Sequence, residues 1–227
     1  MTLRRGIRAL LTVLVLCACH ARGQSTMTDV SAQTAVSSPA PAAGEAEKAW
    51  SFSVSAYGYI LPGSTDYLQP TVTADRGWLH LEARYNYEAP RTGSVWVGYN
   101  FSVGKEVTLD FTPMLGGVFG DTTGVAPGYT GSLRWWKLEL FSQGEYVIDT
   151  RASSESFFYT WSELTLAPAD WFRFGFVVQR TKLYQTDFDI QRGVLVGFSN
   201  KRANFTAYVF NPDASKPVFV LAAGVSF

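Results

Sequence analysis

The chain has 227 residues with 19 basic, 19 acidic and two cysteine residues, for a formal net charge of zero. That balance, with no basic patch or stripe, argues against a nucleic-acid binder, and so few cysteines argue against a small disulfide-stapled secreted domain. Only 17% of residues are charged while 15% are aromatic, so the chain must hide much apolar surface in a core or present it to lipid.

The first element is a leader. Arg4, Arg5 and Arg8 precede an apolar run from Ala9 to Ala18, the charged n-region and h-region of a signal peptide at residues 1–23. The run is too short to span a bilayer. Ala21 and Gly23 are small residues at the −3 and −1 positions for cleavage after Gly23. Leu16-Cys-Ala-Cys19 offers a looser alternative, a lipoprotein box with Cys19 as the lipidated residue. Both cysteines lie in this leader. Removing it takes away Arg4, Arg5, Arg8 and Arg22 and leaves 15 basic against 19 acidic residues. No later run is long and apolar enough for a transmembrane helix.

Residues 24–48 are rich in Ser, Thr, Ala, Pro and Gly without apolar period, and read as a flexible linker. From 49 to 227 the chain alternates apolar and polar residues at period two, the signature of β-strands with two distinct faces. The spacing predicts twelve strands, at 50–61, 66–75, 78–88, 93–103, 106–116, 124–135, 136–149, 155–167, 170–181, 186–199, 202–211 and 216–227. The clearest is 78–88, where Leu79, Leu81, Ala83, Tyr85 and Tyr87 oppose His80, Glu82, Arg84, Asn86 and Glu88. In 170–181, Phe172, Phe174, Phe176 and Val178 oppose Arg173 and Gln179. Strand 155–167 is ambiguous, because either parity leaves a polar residue on the apolar side. Pro70, Pro113 and Pro127 fall inside strands, in what reads as their outer halves. Each demands a bulge or a ladder that has ended. Arg192 shares parity with apolar Ile190, Val194 and Val196, which aims it outward or requires a register shift at Gly193.

Strands of ten to fourteen residues match tilted membrane strands, which need about 9–11, better than soluble ones, which average about five or six. Connections alternate between short turns near 75–77, 103–105, 135–136, 167–170 and 199–201 and longer loops near 61–66, 88–93, 116–124, 149–155, 180–187 and 211–216. Trp50, Trp78, Trp136 and Trp171 begin alternate strands at one rim. Tyr59, Tyr87 and Tyr146 fall near the other, as interfacial aromatics do.

The final row, Phe219, Leu221, Ala223, Val225 and Phe227, closes the chain on an aromatic residue. This resembles the C-terminal signal of bacterial outer-membrane β-barrels. With the leader, the alternating strands and the turn asymmetry, the resemblance covers about residues 50–227. It implies an all-β, twelve-stranded antiparallel up-and-down barrel in the outer membrane, with 24–48 a periplasmic linker. It also implies contact with outer-membrane lipids and lipopolysaccharide, and recognition of Phe227 by the barrel-assembly machinery. Trp50, Trp78, Trp136, Trp171 and Phe227 then become membrane-interface aromatics. The last strand should pair with the one starting at Trp50.

By parity the inward row contains Glu82, Arg84, Glu88, Glu106, Asp110, Arg134, Glu139, Gln143, Glu145, Asp149, Glu163, Arg173, Asp189 and Gln191. Glu163 and Arg173 flank one short turn, as do Arg134 and Glu139. Acids outnumber bases. Fully paired, these charges make a structural plug; in a wet lumen, the surplus carboxylates line a narrow, cation-preferring pore. Inward Tyr57, Tyr59, Phe141, Trp96 and Tyr208 narrow or fill it.

Chemistry is thinly signalled. Outer-membrane phospholipases of twelve strands hold Ser, His and Asn on the lipid-facing wall, whereas His80 here has inward parity and reads as part of a polar network. Asp187 and Asp189 share a strand face and could hold Ca²⁺, but a solvated loop end is the simpler reading. No cofactor, zinc site, phosphate-binding loop or catalytic elbow is legible. The expectation is a small passive channel for ions or small polar solutes and not an enzyme. The rivals are a non-conducting structural or ligand-binding barrel, a lipid- or lipopolysaccharide-modifying enzyme, and an exported soluble β-sandwich.

Overall fold

In the computed structural model the described residues are 49–62, 64–183 and 189–227. The leader, Cys19, the linker 24–48 and Asp187 lie outside them, as does the side chain of Asp189. The strands are β1 (Ser51–Ile60), β2 (Tyr67–Arg76), β3 (Leu79–Tyr85), β4 (Thr92–Tyr99), β5 (Phe101–Gly104), β6 (Val107–Gly120), β7 (Gly124–Trp135), β8 (Leu138–Asp149), β9 (Phe157–Ala169), β10 (Phe172–Leu183), β11 (Asp189–Asn200), β12 (Ala203–Phe210) and β13 (Val218–Ser226). Chain neighbours pair antiparallel except β4 and β5, which both pair with β6, and β1 pairs with β13, so the sheet closes on itself. β4 and β5 are one stave broken at Asn100, and the ring is a twelve-stranded antiparallel barrel.

The break has a cause in β6. The β4–β6 ladder ends at Gly98↔Met114 and the β5–β6 ladder begins at Phe101↔Phe111, which leaves Pro113 between them. Proline has no backbone N–H to give to a ladder. Pro113 thus lies mid-strand, not in the outer half that the sequence suggests. Pro70 lies just beyond the β2–β3 ladder, which starts at Thr71↔Arg84. In β7, Ala126 and Pro127 are both skipped between Val125↔Ile148 and Gly128↔Glu145 without a change of register. Arg192 pairs with Val178 in an unshifted ladder and faces outward, exposed.

The two ends of the barrel differ. At the end holding Trp50 and Phe227, the terminal end of the described barrel, the turns 77–78, 105–106, 136–137, 170–171 and 201–202 each have two residues. Gly77, Trp136 and Lys201 adopt positive φ there, as tight turns require. The far end carries 61–66, 86–91, 150–156 and 211–217, while 116–124 shrinks to 121–123 because β6 runs on to Gly120. This is the asymmetry of membrane barrels.

Parity sorts the side chains. Outward rows such as Phe174/Phe176, Val194/Val196/Phe198 and Phe219/Leu221/Val225 are exposed and apolar. Strand β9 resolves its ambiguity by burying Phe157, Tyr159, Trp161, Glu163 and Thr165 inside. Two polar residues, Thr160 and Ser162, are left outside, and Ser162 is satisfied locally. Its hydroxyl meets that of Ser142 at 3.1 Å, which meets the Tyr129 hydroxyl at 3.1 Å. Trp50, Trp78, Trp136 and Trp171 stand exposed at the terminal rim. Tyr146 faces outward, but Tyr59 and Tyr87 are buried inside instead of anchoring the far rim. For Tyr87 the reason is local: β3 ends at Tyr85, and Asn86 at φ 56° turns the chain inward.

Glycines let rings lie flat on the wall. A Cβ on Gly116 would meet the Trp96 ring at 2.5 Å, and one on Gly144 would meet Tyr129 at 2.8 Å. At the seam, Phe227 N–H donates to Phe52 O at 2.9 Å and Phe52 N–H donates to Phe227 O at 2.8 Å. Their rings stack at 6.1 Å between centroids.

Two outcomes follow from these contacts. Gly116→Ala should lever Trp96 off the wall and lower stability by about 1–3 kcal/mol, the usual cost of overpacking, measured by urea unfolding in detergent. Deleting Phe227 removes two seam hydrogen bonds and should cost about 1–3 kcal/mol; an unchanged unfolding midpoint would count against the seam.

Candidate functional site

The interior has two storeys. At the terminal end a polar vestibule of about 350 Å³ is lined by Ser53, Thr73, Asp75, Asn100, Thr112 and Arg134 among others. Toward the far end the lumen is filled. Tyr57, Tyr59, Phe157, Tyr159, Trp161, Tyr208 and Phe210 are all buried, Trp161 with 0% exposure. Trp161 meets Tyr208 and Phe210 edge-on at 5.3 and 5.2 Å, a favoured aromatic geometry. Alternate inward positions on β1, β9 and β12 supply this layer, because period two puts every second side chain into the same space.

Below and beside it lies a charged cluster centred on Arg84 of β3. Its Nε donates to Glu82 Oε1 at 2.6 Å, and its Nη1 donates to Glu145 Oε2 of β8 at 2.9 Å. Glu88 Oε1 lies 4.0 Å from the same Nη1. The guanidinium is sandwiched between the rings of Tyr87 at 4.1 Å and Trp96 at 4.4 Å. Trp96 in turn rests on the wall at Gly116 and donates through Nε1 to Ser94 Oγ at 2.9 Å. Glu82 also meets His80 Nε2 at 3.1 Å, and His80 Nδ1 meets Asp75 Oδ1 at 2.8 Å. With carboxylates on both ring nitrogens, His80 has none left to activate a serine.

A second cluster surrounds Glu163 of β9. Arg173 Nη1 donates to Oε2 at 2.8 Å, while Trp161 Nε1 and the Tyr208 hydroxyl donate to Oε1 at 2.9 and 3.0 Å. This carboxylate ties the charged storey to the aromatic one. Removing one partner from a buried pair of this kind typically costs about 3–5 kcal/mol.

The other inward positions read from the sequence fall in different places. Gln143 is buried beside Glu145 on β8, and Gln191 accepts from Gln179 Nε2 at 3.1 Å. Arg134 forms its ion pair with Asp110 across the β6–β7 ladder, while Glu139 accepts from Ser132 at 2.6 Å. Asp149 caps the far-end loop, accepting from the N–H groups of Arg151 and Ala152 at 2.7 and 2.8 Å. Its role is in turn structure. Glu106 sits exposed in the β5–β6 turn, clear of the lumen, because that hairpin runs past the β2–β3 turn. Sequence parity missed Asp75, Trp161, Tyr159 and Phe210 as parts of the interior. Asp75 shares parity with inward Thr71 and Thr73, which could have found it. Among the described residues no group of three or more His, Cys, Asp or Glu side chains is arranged to hold a metal ion.

No protein-family model matches the chain, and no curated protein matches it in sequence. In structure it is similar to the KdgM porin, with a TM-score of 0.55 and 11% identity over 77% of this chain and 99% of that one. It is equally similar to the KdgM porin in complex with disordered oligogalacturonate, with a TM-score of 0.56 and 11% identity over the same shares. The closed barrel with its short-turn and long-loop ends is therefore the fold of outer-membrane porins.

Proposed function

We propose that this barrel sits in a bacterial outer membrane and acts as a narrow passive channel for small cations or small polar solutes. The observation that supports it is a polar vestibule at one end whose lining holds two carboxylates and one guanidinium, in a barrel with the fold of porins. Asp75 and Asp110 supply the carboxylates and Arg134 the guanidinium. Such a wall attracts cations and repels anions. The KdgM structure holds an acidic oligosaccharide, and this lumen suits the opposite charge.

The aromatic layer then serves as the constriction. Rings that exclude water raise a dewetting barrier, and they must turn aside for a solute to pass. Outside, the apolar rows face lipid and the terminal-rim tryptophans face head groups and lipopolysaccharide. Phe227 at the seam is the contact offered to the barrel-assembly machinery. The filled aromatic storey supports a second reading, a non-conducting structural barrel, and one measurement separates the two.

In a planar bilayer the purified barrel should give small, cation-preferring current steps. Trp161→Ala with Phe210→Ala should enlarge them severalfold by clearing the constriction. Current no greater than lipid alone, from both the parent chain and the double variant, would leave the structural reading in place.

A further inference from the structure

The β3–β4 loop, residues 86–91, does not stand clear of the barrel. Asn86 and Arg91 both take left-handed backbone, φ 56° and 51°, and between them the chain dips into the lumen. Tyr87, Glu88 and Ala89 are buried, Glu88 with 1% exposure. The loop is pinned at its base. Gln69 Nε2 donates to Asn86 O at 2.8 Å, Asn86 Nδ2 donates to Leu68 O at 3.0 Å, and Arg91 N–H donates to Asn86 Oδ1 at 2.8 Å. Its tip is held by Tyr87, which lies against Arg84 and meets Tyr159 edge-on at 6.3 Å, and by Glu88, whose Oε1 accepts from Ser94 Oγ at 2.5 Å.

The charge around that tip does not balance. Arg84 faces Glu88 from β3 together with Glu82, and Glu145 faces it from β8. The Tyr87 phenol lies on the loop itself, and Ser94 of β4 contributes only a neutral hydroxyl. Three carboxylates therefore share one guanidinium and, through Glu82, the His80 ring; the guanidinium gives its short contacts to Glu82 and Glu145 and leaves Glu88 at 4.0 Å. Glu88 Oε2 and Glu145 Oε1 are both buried without a hydrogen-bond partner. Burial pushes the Glu88 carboxyl up from its ordinary value, against the opposing pull of Arg84 and the Ser94 hydroxyl.

We infer that the 86–91 loop is a pH-released plug, held in the lumen while Glu88 is protonated and expelled when Glu88 ionises. A carboxyl whose proton is held more tightly in the tucked loop than in the released one favours the tucked loop at low pH. That advantage is lost as pH rises through the tucked-state value. The new negative charge then lies in a dry cavity whose guanidinium already holds Glu82 and Glu145, and water outside is the better solvent for it. Release withdraws Tyr87 from Arg84 and vacates lumen space beside the aromatic layer. The role of this movement as a gate rests on the channel reading; the movement itself does not.

The test uses Ala89→Cys in a chain with Cys17 and Cys19 replaced by Ser, folded in detergent. Maleimide labelling of Cys at 89 is compared with labelling of Ser64→Cys, an exposed control. The ratio should rise by about tenfold or more from about pH 5 to about pH 9. Adding Glu88→Gln should hold it low throughout. A flat ratio in the parent background, or an unchanged rise with Glu88→Gln, overturns the proposal. Amide hydrogen exchange across 86–91 gives the same readout without the Ala89 change. Loop release without any bilayer current supports the loop transition and overturns the channel reading alone.

Discussion

The closed backbone ladder is the constraint on which everything else depends. In hydrocarbon an unpaired N–H or C=O has no water to turn to, so every stave needs a partner on each side. The β1–β13 pairing meets that demand at the seam, and β4–β6 meets it where the stave is broken. Once the ring is closed, period two leaves no freedom: each residue faces lipid or lumen. The four strand prolines, Pro70, Pro113, Pro127 and Pro168, are tolerated because each falls where a ladder ends, skips or shifts register.

Closure at twelve staves also fixes how much must be packed inside. The interior is too narrow to leave large side chains apart, so rings and charges are stacked in layers. A small residue on one wall is matched to a large one beside it, as Gly116 is to Trp96. Buried charge is costly unless neutralised. The Glu163 cluster meets this with donors from three residues. The Arg84 cluster meets it only in part, and that imbalance is what makes it a candidate for function and not merely for packing.

The lipid-facing side was the legible half of this chain. Hydrocarbon tolerates few residue types, so outward rows such as Leu79/Leu81/Ala83 announce themselves and give strand bounds close to the observed ones. The lumen imposes no such rule. It accepts Trp161 as readily as Glu163, and Ser162 outside is masked by hydroxyl partners on neighbouring strands. Strand β9 was therefore unreadable by parity alone. Tyr87 was misread because a single left-handed residue, Asn86, ends the alternation. The stave break at Asn100 could not be seen locally either, since its cause lies in Pro113 on the next strand.

The contact between Arg84 and Glu145 joins residues 61 positions apart, on staves four steps apart around a ring of twelve. It is a chord drawn inside a hoop. A thin-walled cylinder of hydrogen-bonded strands is stiff along its length but readily squashed toward an ellipse. A chord of fixed length suppresses that flattening along its own direction. The same guanidinium that balances charge therefore also holds the cross-section round, and anything that loosens its grip should let the wall flex.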